Sequence, residues 1–424
     1  MLDRTEFCNP RTGEAVTRIN HPSGLTIYVW PKEGYQSHYA VFGTYYGSID
    51  ATFTLDGKLT EVPAGIAHYL EHKLFENEDC DAFQRYAATG ADANAFTSFE
   101  RTAYLFSGTG DITPSLEILL DFVQAPYFTD ETVEKERGII GQEIRMYDDA
   151  PGWRVFFNLL RSMYQTHPVR TDIAGTVESI AEITPALLYG CYNAFYNLHN
   201  MVLAVAGNVT VEQVLAVADR LLKPAPPWDL TRPDPHEPLD VGTPRIEERM
   251  TVAAPLFYFG FKHPMSGMAP LSAKEAIAGG ALLEILAGHS SPLYTRLMKE
   301  GLINHSFGME LFDGPGYAAF LFGGESRDPD AVTAAICDEA DRLRREGIDP
   351  AAFEAVRNAL YGAAVMALND VEDCGDQLMN GHFRKLAPFE ELEATASLTL
   401  ADVEAMLACS LNRDRTVLSI IRPR

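Results

Sequence analysis

Residues 65–72 of the 424-residue chain read GIAHYLEH. On a helix, His68 and His72 stand one turn apart on one face, so both imidazoles can reach a single metal ion. Glu71 follows His68 by three residues, at the edge of that face. Its carboxylate can meet the ion's open position there without being a ligand. With 11 histidines in 424 residues, a chance H-x-x-E-H is expected roughly 0.02 times. The bland alternative is a surface or core histidine pair beside a helix-stabilising Glu. Two histidines do not complete a catalytic zinc site, which takes three protein ligands and keeps one position open. Glu76 continues the i+4 series, but it stands about 12 Å along the helix axis from His68, whereas metal–ligand bonds are about 2 Å. The third ligand must therefore come from another element. Glu143 is the best candidate. It sits in a helical pattern over residues 129–147, and Glu136 precedes it by two turns on the same face. Val133, Ile139, Ile140 and Ile144 make that helix pack against something, and two carboxylates on a packed stripe are costly unless paired or metal-bound. For Glu136, a solvated helix face is the alternative.

The elements that must hold these groups read as follows. Residues 24–30 (GLTIYVW) and 38–46 (HYAVFGTYY) are rich in β-branched and aromatic residues and predict strands. The histidine helix is expected over 63–75, a further helix over 81–89, strands over 93–98 and 102–107, and a helix over 113–124. The helix at 129–147 opens with a capping residue and an acidic first turn. Seven of the 25 prolines fall between Pro224 and Pro244, a stretch that cannot continue a helix or a central strand and reads as an extended linker. The expected division is 1–222, linker 223–245, and 246–424. The second half repeats the order of the first. FLFGG at 320–324 resembles YLFSG at 104–108, residues 272–286 parallel the histidine helix, and 350–366 parallel the helix at 129–147. The simplest meaning is a duplicated α+β unit.

Composition narrows the function classes. Lys and Arg number 34 against 59 Asp and Glu, a formal charge of −25. That argues against nucleic acid and against an anionic membrane surface as partners. No run of 18 apolar residues is present, the first residues carry no basic-then-apolar signal pattern, and the six cysteines show no metal-type spacing. A cytoplasmic protein with reduced thiols is the expectation.

With these motifs in place, the chain resembles the M16 metallopeptidases, the group with the inverted H-x-x-E-H motif that includes mitochondrial processing peptidase, pitrilysin and insulysin. The helix start matches GxAHxLEH. Gly90 and Asn94-Ala95-Phe96-Thr97-Ser98 match the following glycine and N-A-[FY]-T-S, and Glu136 to Glu143 match E-x6-E. His167-Pro168, the GTVESI of 175–180 and the NMVLAVAG of 200–207 match later segments of the family. Within it, HKLFE, FTSFERTAYLFS and GIIGQEIRMYDD are most similar to the bacterial YmfH-like group. The resemblance implies two homologous α/β-sandwich domains of the LuxS/MPP-like metallohydrolase fold. It implies a zinc endopeptidase with Zn²⁺ on His68, His72 and Glu143. Glu71 would take the proton of the attacking water and Glu136 would orient a ligand histidine. Asn94, Ala95, Phe96 and Thr97 would form an edge strand that receives a peptide.

Active family members also bring an Arg and a Tyr, spaced R-x6-Y, from a second-half-type domain. Here Tyr258, Tyr294, Tyr317 and Tyr361 follow Thr251, Ala287, Glu310 and Glu354 at that spacing, and none is Arg. Residues 281–285 (ALLEI) and Tyr361 stand where a second metal site would be. The implication is the zinc half of a peptidase whose sister M16 subunit brings the missing pair, with a homodimer as the other assembly. A catalytically silent scaffold subunit is the rival from another class, and a metal-dependent hydrolase of another substrate class is the third reading.

Overall fold

The computed structural model describes residues 3–78 and 80–424. Two compact units emerge, both mixed α/β. The first holds the described residues up to Ile144 together with Asp172–Pro233 and Val365–Phe389, and the second holds Arg145–Thr171, Asp234–Ala364 and Glu390–Arg424.

The strands of the first unit are β1 (Asp3–Cys8), β2 (Ala15–Asn20), β3 (Thr26–Pro31), β4 (Ser37–Thr44), β5 (Thr52–Leu55), β6 (Lys58–Glu61), β7 (Asp92–Thr97), β8 (Thr102–Thr109), β9 (Met201–Gly207) and β10 (Leu230–Thr231). The main sheet runs β1-β2-β3-β9-β4-β8-β7, and β10-β5-β6 form a small separate one. β9 (MVLAVAG) is buried along its whole length, as a strand covered on both faces must be, and it lies between β3 and β4. The second unit holds β11 (Arg245–Met250), β12 (Leu256–Lys262), β13 (Gly308–Gly314), β14 (Tyr317–Glu325) and β15 (Thr416–Pro423), in the order β11-β15-β12-β14-β13. That order repeats β3-β9-β4-β8-β7 strand for strand. The first pair is parallel in both sheets and the rest are antiparallel.

The helices of the first half are α1 (Ile66–Leu74), α2 (Ala82–Ala87), α3 (Thr113–Phe122), α4 (Asp130–Asp148) and α5 (Pro151–Met163), followed by Val177–Ala181, Pro185–Phe195 and Val211–Leu221. The compact units do not follow the expected division at 223–245, because each repeat lends a helix to the other's sheet. α5 buries Val155, Phe157, Leu159, Leu160 and Met163 and packs on β11, β12 and β15. The helix Val371–Phe383, from the second half, packs on β3, β4 and β9. The two contacts match in detail. A Cβ at Gly43 of β4 would stand 2.6 Å from Met379 Sδ, and one at Gly260 of β12 would stand 2.6 Å from Met163 Cε. At both places the missing side chain lets a methionine of the exchanged helix rest on the strand.

The proline-rich segment is extended, as expected, but it is not a free tether. A two-residue strand at an edge is compatible with flanking prolines, and β10 pairs with β5. Arg232 pairs with Asp50 at 2.5 Å and lies over the Tyr45 ring. Further along, the Glu237 carboxylate accepts the backbone N–H groups of Gln165, Thr166 and His167 at 2.9, 2.8 and 2.7 Å. It also accepts from the Lys262 ammonium, which reaches the carbonyls of Met163, Pro238 and Asp240 as well. Burial alone would raise Glu237, but these donors hold it down at about 2, while burial lowers Lys262. A carboxylate depressed in the folded state stabilises above its unfolded pKa of about 4.3. That stability is lost as the pH falls toward about 2. Glu237→Ala leaves the buried Lys262 ammonium without its anion and is expected to cost about 3 kcal/mol at neutral pH. The difference from wild type should narrow in denaturant titrations below pH 4. A constant difference down to pH 2 would contradict the assignment.

Among the described residues, no helix is long and apolar enough to cross a membrane.

Candidate metal centre

α1 begins abruptly at Ile66, three residues later than the sequence pattern suggests, because Gly65 takes a left-handed conformation (φ 88°). A Cβ there would stand 2.4 Å from the Ala174 carbonyl oxygen, and one at Gly175 would stand 2.5 Å from the Ala64 oxygen. Ser179 Oγ donates to that same Ala64 oxygen at 2.8 Å. The two glycines thus let the loop that carries the GTVESI segment lock the start of α1. Farther along α1, the Tyr69 hydroxyl donates to the Val133 carbonyl of α4. α1 and α4 are thereby held side by side, with Val133, Glu136, Ile140 and Ile144 of α4 buried.

This placement brings the three expected ligands together. One ligand atom each from His68, His72 and Glu143 lies within 4.8 Å of the others. Glu143 Oε1 is 3.6 Å from His68 Nε2, and its Oε2 is 3.6 Å from His72 Nε2. Tetrahedral bonds of about 2 Å place ligand atoms about 3.3 Å apart, so the set fits one zinc ion after small adjustments. Among the described residues this is the one such group of three. In the second unit, Ala281, Leu282, Leu283 and Ile285 are buried as plain core on the helix that matches α1.

The surroundings suit a dication. His72 Nδ1 is 3.0 Å from Glu136 Oε1, so Nδ1–H donates to the carboxylate and Nε2 keeps its lone pair for the site. Burial pulls His72 down, but the Glu136 hydrogen bond and the charges of Glu71, Glu136 and Glu143 outweigh it and hold its pKa above the ordinary value. His68 goes the other way. Burial, then repulsion from His72, push it down to about 4, which keeps its ring neutral at physiological pH. Glu71 is 8% exposed, and burial pushes it up to about 7 against the lowering effects of His72 and the Thr97 hydroxyl. Three carboxylates thus surround two imidazoles, an anionic cage that a divalent cation would balance. Glu136→Gln is expected to weaken zinc binding about 10–100-fold. Competition against a chelator reads this directly, and an unchanged affinity would remove Glu136 from the site.

β7 is the edge strand of the first sheet and pairs on one side with β8, from Asp92↔Ser107 to Thr97↔Thr102. Asn94 is exposed, and its side-chain oxygen accepts the Ala95 N–H at 2.9 Å. Ala95 and Phe96 are half-buried. Thr97 is placed differently from its neighbours, since its hydroxyl donates to Glu71 Oε2 at 3.1 Å. Strand alternation, which puts Ala95 and Thr97 on one face, was the signal that could have separated Thr97 from Asn94 and Phe96.

The chain is similar to proteins described as zinc proteases. Residues 57–177 match the family profile described as insulinase, peptidase family M16, and residues 182–360 match the one described as the peptidase M16 inactive domain. A Bacillus subtilis protein described as an uncharacterized zinc protease, YmfH, is 41% identical over 411 residues, 95% of each chain. A Streptomyces coelicolor protein described in the same terms is 26% identical over 96% of this chain and 90% of its own. A solved structure from Alicyclobacillus acidocaldarius, described as an M16-like peptidase, superposes with a TM-score of 0.92 at 34% identity, covering 100% of this chain and 99% of that one. Pitrilysin shares the fold, with a TM-score of 0.76 at 18% identity, and this chain covers 46% of its length. The chain belongs to the M16 peptidase family.

Proposed function

We propose that this protein is a zinc-dependent endopeptidase subunit that cleaves short or unfolded peptides, the zinc-bearing half of a heterodimer. The observation that carries the reading is the convergence of His68, His72 and Glu143 on one point, with the buried Glu71 carboxylate on the same helix face. Bound zinc would supply Lewis acidity, activating water and polarising a scissile carbonyl near neutral pH. Glu71 takes the proton of the attacking water and passes it to the leaving amine. Glu136 fixes the ring of His72 through Nδ1. The outer edge of β7, at Asn94, Ala95 and Phe96, offers main-chain hydrogen bonds to an extended peptide, which would take the Ala95 N–H from the Asn94 side chain.

A developing oxyanion needs its own donor. The second half has no Arg seven residues before any of its tyrosines, and it matches a profile described as an inactive domain. Both facts favour a sister subunit that brings the donors. The test is hydrolysis of a fluorogenic peptide by the zinc-loaded chain alone and with a candidate sister chain. Slow turnover alone and a large gain on mixing are expected. Full turnover by the chain alone, at rates typical of single-chain peptidases, would overturn the heterodimer.

A further inference from the structure

We propose that Thr97 is a positioning residue for Glu71, reserving one carboxylate oxygen so that the other alone exchanges protons during the reaction. The inference rests on the peptidase reading above and adds a residue to it. Thr97 and Thr102 face each other across β7 and β8, and each hydroxyl has a single proton. Thr102 donates its proton to the Tyr46 carbonyl at 2.9 Å. The 3.4 Å contact between the two hydroxyls therefore carries no proton from Thr102 to Thr97, and Thr97 is the donor in its 3.1 Å contact with Glu71 Oε2. At 3.1 Å the bond is longer than the roughly 2.5–2.7 Å typical of a hydroxyl on a carboxylate, so it orients Glu71 more than it binds it.

With Oε2 engaged, Oε1 is the oxygen left to act. As the water oxygen bonds to the scissile carbonyl carbon, the broken O–H bond delivers its proton to Glu71 Oε1. The same proton moves to the amide nitrogen as the C–N bond breaks, so the carboxylate returns unchanged. Thr97 holds Oε2 through both transfers, which favours Oε1 as the oxygen that carries the proton. Its own place is set by strand pairing, since it is the last residue of β7 and lies opposite Thr102. A peptide added along β7 stiffens the strand that aims the base, which couples substrate docking to the alignment of Glu71.

The test compares wild type, Thr97→Val, Thr97→Ser and Glu71→Gln as zinc-loaded full-length chains. Turnover is measured in the assembly in which wild type cleaves a fluorogenic peptide. Affinity for a peptide hydroxamate, whose hydroxyl proton passes to the base beside the metal, is measured on the chain itself. Thr97→Val should keep one zinc, lose about tenfold or more in kcat and a similar factor in hydroxamate affinity. Its KM should stay within about twofold of wild type. Thr97→Ser should recover both quantities to within about threefold. Wild-type values in Thr97→Val, or a serine variant no better than the valine one, overturn the inference. Wild-type turnover in Glu71→Gln would instead overturn the reading of Glu71 as the base.

Discussion

Glu71→Gln is expected to leave zinc bound and to lower peptide hydrolysis by about 10²–10⁴-fold, or roughly 3–5 kcal/mol of transition-state stabilisation. Gln keeps the shape and can still accept the Thr97 hydroxyl, so α1 and its packing should survive. What it cannot do is take a proton. The metal should be indifferent, because the group proposed to hold it is His68, His72 and Glu143. The variant also separates the enzyme from a silent scaffold subunit. Zinc content by elemental analysis and kcat on one peptide give the readout, and a variant that turns over within tenfold of wild type would overturn the reading of Glu71 as the base. An unchanged biological phenotype in a cleavage-dead variant would favour the scaffold.

The second large effect is expected at Glu143. Its carboxylate spans the two imidazoles at 3.6 Å on each side, and its side chain is 21% exposed. Glu143→Gln should weaken zinc binding by more than the about 10–100-fold typical of an outer partner such as Glu136. The apo fold should tolerate the change, since removing this charge relieves part of the crowding that raises Glu71. Thermal unfolding gives the readout. At zinc concentrations near 100 times Kd, wild type gains about 2.7 kcal/mol. For a chain of 424 residues that is a rise in Tm of about 3 °C. The variant should show almost no rise at the same zinc concentration and no peptide turnover. An equal zinc-dependent shift in both proteins would remove Glu143 from the ligand set.

Much of the centre is legible in the amino-acid sequence because helix periodicity is rigid. The spacing of His68, Glu71 and His72 settles their common face, and the two-turn spacing of Glu136 and Glu143 does the same on α4. Tertiary partners are less legible. The pattern in 151–163 shows that α5 has an apolar face, but an apolar face does not name the sheet it covers. The exchange of α5 with the Val371–Phe383 helix is invisible for that reason. Prolines in 224–244 forbid helix and central strand, yet they say nothing about Arg232 and Glu237, whose side chains fasten the segment. Thr97 is hidden in a motif that reads as a uniform peptide-binding strand, because its role depends on which face meets α1.

The helix exchange has a consequence for how the protein comes into being. The first sheet's last-made strand of the first half ends at Gly207, but the helix that covers β4 and β9 ends at Phe383. At translation rates of about 5–20 residues per second, the sheet waits roughly 9–35 s for its cover. Through that interval Tyr39 and Gly43, which meet Gly375 and Met379 in the finished protein, face the nascent chain's surroundings. Neither half of the gene encodes the helix that covers the second face of its own sheet, and a cut in the proline-rich segment should leave two fragments that remain entangled in each other's sheets. The repeat visible in the strand order records what was duplicated, and the compact units record what folds. In this chain those are different sets of residues.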